Sequence, residues 1–286
     1  MLDMHTISAG LTLGGDGIWY ASSRQEISYP PGGHSDCHGI EDSSFWFAHR
    51  NRCIATVVAA FPPKDAGAIF DIGGGNGFVS VALEKAGFDT VVVEPGPVGA
   101  TNARGRGLRN VVCATIEAAG FKRASLPAVG LFDVLEHIED DRAFLRTIKG
   151  LTVGNGRIYL TVPSYDFLWS REDVVAGHFR RYTRAQICTT LESAGLTVEF
   201  ASYIFRFLPA PILLFRTLPY RIGLSKADDI SGSVARDHAP VASGLAAGLL
   251  NTILDPEIVN LRNKRAMRFG ASCLVVANTG CAGSLD

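Results

Sequence analysis

The sequence predicts an α/β protein built on a doubly wound, mostly parallel sheet with helices on both faces. From Ala66 onward, short β-branched runs alternate with helix-length stretches. A glycine-rich turn, Gly73-Gly74-Gly75-Asn76-Gly77, joins the first such run to the stretch after it. The composition, 47% apolar and 19% charged over 286 residues, supports a sizeable core and excludes a disordered chain. The 31 glycines exceed the usual share of about 7% and call for tight turns or close backbone approach to a ligand.

Residues 1–42 mix Gly, Pro, Ser and Asp and are expected to form an irregular arm or lid. Asp42-Ser43-Ser44 offer an N-cap for a helix over 45–61, closed by Pro62-Pro63. Strands are expected at 68–72, 90–93, 111–113, 129–132, 157–162, 196–203 and 269–278, seven in all. Helices are expected at 78–86, 142–150 and 184–194, the last ended by Gly195. The chain thus divides into the arm (1–42), a ligand-binding core (43–203), an apolar, Pro-interrupted helical cap inserted at 204–267, and a last core strand with a tail (268–286).

A net charge of −1 argues against broad nucleic-acid binding. The six cysteines include no CxxC pair, and the N-terminus lacks the charged and apolar regions of a signal peptide, which together suggest a reducing, cytoplasmic setting. No run approaches the ~20 apolar residues of a membrane span; the segment 207–215 is short and broken by Pro209 and Pro211.

The glycine loop follows a strand and opens a helix, where backbone N–H groups and the helix dipole favour an anionic or polar ligand group. The dinucleotide fingerprint would need glycine at 78, where Phe78 stands. Glu94 closes the next strand, where a carboxylate can accept two hydrogen bonds from a ribose diol.

With these residues the chain resembles the class I S-adenosylmethionine-dependent methyltransferases. The matching motifs are DIGGGNG at 71–77, VVVEP at 91–95 and FDVLEHIEDD at 132–141. The resemblance covers about residues 43–203 and implies a Rossmann-like sheet whose last strand is antiparallel. It implies that Asp71, Gly73, Gly75 and Gly77 surround the methionine portion of S-adenosyl-L-methionine. Glu94 would bind the ribose and Pro95 shape the adenine pocket. Thr115 stands where the family usually has an adenine-contacting Asp, Ile116 would pack on the ring, and the backbone around Asp133 would approach the cofactor's amino group. The helix from Phe45 looks like a leader in which Trp46 and Arg50 close over the cofactor, Arg50 pairing with its carboxylate. The alternative is a helix that merely packs on the core.

Asp133, Glu136 and His137 lie at the carboxyl end of the fourth strand, where open α/β sheets place ligands. They are similar to the ExxEH motif of ubiquinone-pathway O-methyltransferases and small-RNA 2′-O-methyltransferases, with Asp133 in place of Glu. That likeness implies a divalent metal such as Mg held by Asp133, Glu136, His137 and His178. The competing reading is a metal-free site with His137 or His178 as general base. A second cluster, His34, Asp36, Cys37 and His38, has metal-ligand residue types, but the glycines around it argue against the helix that would pair the imidazoles.

The expected function is methyl transfer to an oxygen of a small or lipid-like acceptor. The alternatives are an RNA 2′-O-methyltransferase with a divalent metal and a non-catalytic cofactor-binding protein. Arg180, Arg181 and Arg184 are candidates for an anionic substrate group. The apolar cap suggests a cover over the acceptor, peripheral membrane contact or a homodimer face.

Overall fold

A computed structural model describes residues 3–22, 41, 44–224 and 245–280. Its sheet has nine strands: β1 (Leu11–Leu13), β2 (Trp19–Ala21), β3 (Ile69–Ile72), β4 (Thr90–Val93), β5 (Val111–Cys113), β6 (Leu126–Phe132), β7 (Thr152–Pro163), β8 (Thr197–Ile204) and β9 (Ser272–Asn278). They lie side by side as β1-β2-β5-β4-β3-β6-β7-β9-β8. Strands β2, β5, β4, β3, β6 and β7 run parallel, and β9 is antiparallel to both β7 and β8. Chain order reverses outward from β3, with β4 on one side and β6 on the other. This is the switch point at which doubly wound sheets open a crevice.

Two expectations need correction. The sheet has nine strands rather than seven, and the described part of residues 1–42 is not simply irregular. It holds α1 (Met4–Ile7) and a hairpin in which β1 pairs with β2, while Trp19 and Tyr20 pair with Val112 and Cys113 of β5. Three-residue strands are too short to show a period, so only the turn residues Gly14-Gly15-Asp16-Gly17 marked them.

Alternation along the strands sorts side chains onto two cores. Phe70, Ile72, Val91 and Val93 face one layer, with Leu145 and Ile148 of α5 (Asp141–Leu151) and Ile187 and Leu191 of α7 (Arg184–Ser193). Ile69 faces the other, with Ile54 and Val57 of α2 (Phe45–Ala60) and Val79 and Leu83 of α3 (Phe78–Lys85). Val92 packs on Ala100 and Ala103 of α4 (Pro97–Gly105). Each fully buried aliphatic side chain contributes about 1.5–3 kcal/mol. Of the three N-cap candidates, Ser44 performs the role for α2, its hydroxyl accepting from the Trp46 N–H at 3.2 Å. Asp42 and Ser43 lie outside the described residues, as do the cluster at 34–38 and residues 225–244.

A short helix α6 (Arg171–Ala176), ended by Gly177 at φ 74°, lies between β7 and α7. After β8 the chain turns at Phe205 (φ 59°) into α8 (Pro209–Ile212), a widened π-type turn (Leu213–Thr217) and α9 (Leu218–Arg221). The later α10 (Leu245–Arg262) buries Leu254, Ile258 and Leu261, the last two in the core layer under α2. Among the described residues no helix is long and apolar enough to cross a membrane.

Candidate active site

A cavity of about 1100 Å³ opens at the carboxyl ends of β3, β4 and β6. It exceeds the ~300–1,000 Å³ of ordinary ligand pockets and suits two molecules side by side. One end is built from the glycine loop. Gly73 has φ 69°, and a Cβ there would stand 2.9 Å from Val134, so only glycine lets the loop pass this close to the end of β6. Glu94 is buried, and its two oxygens accept from the N–H groups of Gly75 (2.9 Å) and Gly96 (2.6 Å). These bonds hold the carboxylate against the loop at the cavity wall.

Most predicted site residues gather here. Trp46, Arg50, Asp71, Gly73, Gly75, Glu94, Pro95, Thr115, Ile116 and Asp133 all line the cavity. Gly77 does not: it begins α3 at φ 75°, and a Cβ there would meet Leu108 at 2.5 Å and Ala103 at 2.9 Å, so its glycine serves packing. The Thr115 hydroxyl accepts from the Ala118 N–H at 3.2 Å, shaping the turn beside Ile116. Asp71 accepts from Ser80 at 2.7 Å. Burial is the main cause that raises its acid, to about 6, against the opposing pull of Ser80 and Arg50.

The Arg50 guanidinium lies over the rings of Trp46 (4.9 Å) and Phe47 (5.3 Å) and pairs with Asp133. Asp133, at φ 57°, also accepts from the Thr161 hydroxyl at 2.9 Å. Trp46 stacks on Phe205 at 5.5 Å. Behind this stack, buried Glu257 of α10 pairs with His49 at 3.0 Å and accepts from the N–H groups of Phe205 (2.8 Å) and Arg206 (2.7 Å). Cys53 lies 3.4 Å from His49, and burial pushes its thiol well up. His49, Cys53 and Glu257 have the residue types of a metal site, but these hydrogen bonds make them a polar tie between α2 and the inserted segment.

The other end of the cavity holds His137 and His178, edge to face at 4.7 Å between ring centres. His178 Nδ1 lies 2.8 Å from Asp173 of α6. Asp173 also accepts from Arg181 Nε (2.7 Å) and the Ser170 N–H (2.8 Å). Burial works to raise its carboxyl, but the bonds from His178 and Arg181 outweigh it and hold the group at about 2. Burial first, and then the neighbouring His178, lowers His137 to about 4, which keeps it neutral near pH 7. One oxygen of buried Glu136 has no hydrogen-bond partner, and burial, with the Asp133 charge, pushes this acid well up.

The structure gathers three of the four predicted metal ligands. Donor atoms of Glu136, His137 and His178 lie within 4.8 Å of one another, while Asp133 is held by Arg50 and Thr161 outside that group. The three candidate arginines already have partners, and of them only Arg181 lines the cavity. Arg181 holds Asp173 and the Ser164 carbonyl, Arg180 holds Asp141 and the Glu139 carbonyl, and Arg184 lies over the Tyr203 ring. Sequence reasoning missed Asp173, which orients His178, and Glu41, which bonds Asn76 (3.2 Å) and Arg106 (2.9 Å) beside the glycine loop. Asp173 closes the Ser170–Asp173 capping box that starts α6, a pattern that marks a helix start but not a histidine partner, and Glu41 sits in no recognisable motif. Leu208, Pro211, Ile212, Phe215 and Phe179 supply an apolar wall.

The profile of a methyltransferase-domain family matches residues 46–200, more than half of the chain. The chain belongs to this family. This methyltransferase matches no curated protein sequence. Among solved structures it is similar to a Haloferax volcanii protein assigned as a methyltransferase, in complex with a methyltransferase activator. That match has 17% identity and TM-score 0.53, covering 87% of this chain and 95% of the other. A Bacillus halodurans C-125 protein, also assigned as a methyltransferase, matches at 18% identity and TM-score 0.51, covering 79% and 98%. The [4+2]-cyclase SpnF matches at 14% identity and TM-score 0.53, covering 83% of each chain. At these identities the likeness is one of fold.

The family implies S-adenosylmethionine as cofactor, and the methyltransferase has residues of the right chemistry for it. The Gly73–Gly75 backbone forms a cradle that a side chain at 73 would fill, Glu94 supplies an acceptor for hydroxyl groups, and Arg50 offers a buried cation under an aromatic lid.

Proposed function

We propose that this methyltransferase methylates an oxygen of a small or lipid-like acceptor, with His178, flanked by His137, as the base. The observation that carries this is the Asp173–His178–His137 row set against an apolar wall in the cavity shared with the glycine loop. When bound, S-adenosylmethionine supplies an electrophilic methyl group. The protein's share is to position the acceptor and to take the proton from its hydroxyl. Asp173, held anionic, fixes the Nδ1–H tautomer of His178 and turns Nε2 outward, so His178 can accept that proton at Nε2. His137 stays neutral and so does not oppose the charge formed on its neighbour.

In this reading Glu94 holds the ribose, Arg50 turns from Asp133 to the cofactor carboxylate, and the segment after β8 is the acceptor cap. The cap's apolar side chains favour an acceptor with an apolar body over a nucleic-acid strand, which calls for a cationic, aromatic-studded channel.

A second reading places the chain among enzymes with a (D/E)xxEH motif and a divalent metal. The orphaned Glu136 oxygen favours it, since a cation between Glu136, His137 and His178 would satisfy that atom. One carboxylate and two imidazoles suit a transition metal better than Mg. The metal would supply Lewis acidity toward the acceptor oxygen.

The test is a transfer assay with S-adenosylmethionine against hydroxylated, amino and carbon-nucleophile acceptors of graded apolar length, with and without chelator. O-methyl products unaffected by chelator support the first reading. Products at nitrogen or carbon only would overturn it, and O-methylation abolished by chelator and restored by Mn or Zn selects the second.

A further inference from the structure

The helical run after β8 shows its apolar face to solvent. Leu214, Phe215, Leu218 and Ile222, spaced for one face of a helix, are exposed, Phe215 by 77% and Ile222 by 68%. The run is held along one flank: the Thr217 hydroxyl, fully buried, donates to the Leu168 carbonyl at 3.0 Å, and the exposed Arg221 donates through Nη2 to the Phe167 carbonyl at 3.2 Å. The outward face is therefore fixed against the body of the protein. Phe167 and Phe179, also exposed, belong to neighbouring segments.

Charge accompanies this face. The sequence has no acidic residue between Glu199 and Asp228, while Arg206, Arg216 and Arg221 stand within that stretch, with Tyr220 between the last two. Asp166, the acid next to Phe167, accepts from the Arg181 N–H at 3.3 Å. An exposed apolar stripe with arginines and an aromatic residue beside it in the sequence is the pattern of a helix lying in a lipid headgroup layer. The run is also continuous with the cavity, because Ile212, Phe215 and Arg216 line it.

We propose that the face formed by Leu214, Phe215, Leu218 and Ile222 docks this methyltransferase onto an anionic lipid surface, bringing the cavity mouth to the bilayer. Its purpose, admission of a membrane-dissolved acceptor, rests on the lipid-like acceptor reading above; the docking itself does not.

The experiment is co-sedimentation of the full chain with vesicles of phosphatidylcholine alone and of phosphatidylcholine mixed with phosphatidylglycerol, without acceptor. Wild type is expected to bind the mixed vesicles and to be released by salt. The double variant Leu218→Glu, Ile222→Glu should bind at least tenfold more weakly, and Arg221→Gln roughly fivefold more weakly. Neither side chain of the double variant lines the cavity, so an unchanged affinity for S-adenosylhomocysteine confirms that the variant is folded. No binding of wild type to mixed vesicles at low salt, or undiminished binding by the double variant, overturns the proposal. So does a wild-type dimer that the double variant makes monomeric without any vesicle binding, since the face then serves self-association. Because no methyl transfer is measured, failure here leaves the acceptor reading standing, and failure of the acceptor assay leaves the docking standing.

Discussion

The two ends of the cavity are built in different ways. The glycine-loop end comes from successive strand ends of one parallel layer, with Gly73, Glu94 and Ile116 each just past its own strand. Its contacts are largely backbone: Glu94 is fixed by two N–H groups, and Gly73 matters for the side chain it lacks. The histidine end draws on segments far apart in the chain: the turn after β6, the α6 region, and the run after β8. Its contacts are between side chains, Asp173 to His178 and His178 to His137. A backbone-built site tolerates little change and keeps one ligand. A side-chain-built site on connecting segments can be re-specified one residue at a time.

Breaking each end separately sharpens the contrast. The largest expected effect is at the histidine end. His178→Ala removes the proposed proton acceptor and should lower kcat about 10²–10⁴-fold, with the affinity for S-adenosylhomocysteine within about twofold of wild type by calorimetry. Asp173→Asn should lower kcat less and shift the pH–rate profile, since His178 loses the partner that sets its tautomer. A fall in cofactor affinity matching the fall in kcat would mean that the two ends are not separate. Glu94→Ala is the converse. Losing charge-assisted hydrogen bonds worth about 1.5–3 kcal/mol each should weaken S-adenosylhomocysteine binding on the order of 100-fold. Unchanged binding would remove Glu94 from the cofactor site.

This contrast also explains what was legible in the sequence. The glycine loop, Glu94 and the helix from Phe45 could be read because each is a local pattern that physical chemistry ties to one conformation. Glu136 and His137 were legible as a pair, whereas Asp173 was one acid in a short helix, and nothing local says that it faces His178. Glu257 was still less visible: its partner His49 is 208 positions away, and its other partners are backbone groups. The hairpin of β1 and β2 escaped for a different reason, since three-residue strands rely on pairing with β5 rather than on any pattern of their own.

An effect on stability alone tests whether the glycine-loop end is as rigid and dry as its backbone construction implies. Asp71 is buried between the loop and Ser80, and burial raises its acid to about 6 despite Ser80 and Arg50. In the unfolded chain the same group titrates near 3.8. Between about 3.8 and 6 the folded protein therefore holds a proton that the unfolded chain has released. Stability should fall as pH rises through that window, by at most about 1.4 kcal/mol per pH unit from this group. Asp71→Asn cannot titrate, so the difference in unfolding free energy between wild type and variant, followed by denaturant titration from pH 4 to 7, should move steadily against wild type up to about pH 6 and then level off. A flat difference would mean that water or a closer Arg50 reaches Asp71, and that this end of the cavity is looser than its hydrogen bonds indicate.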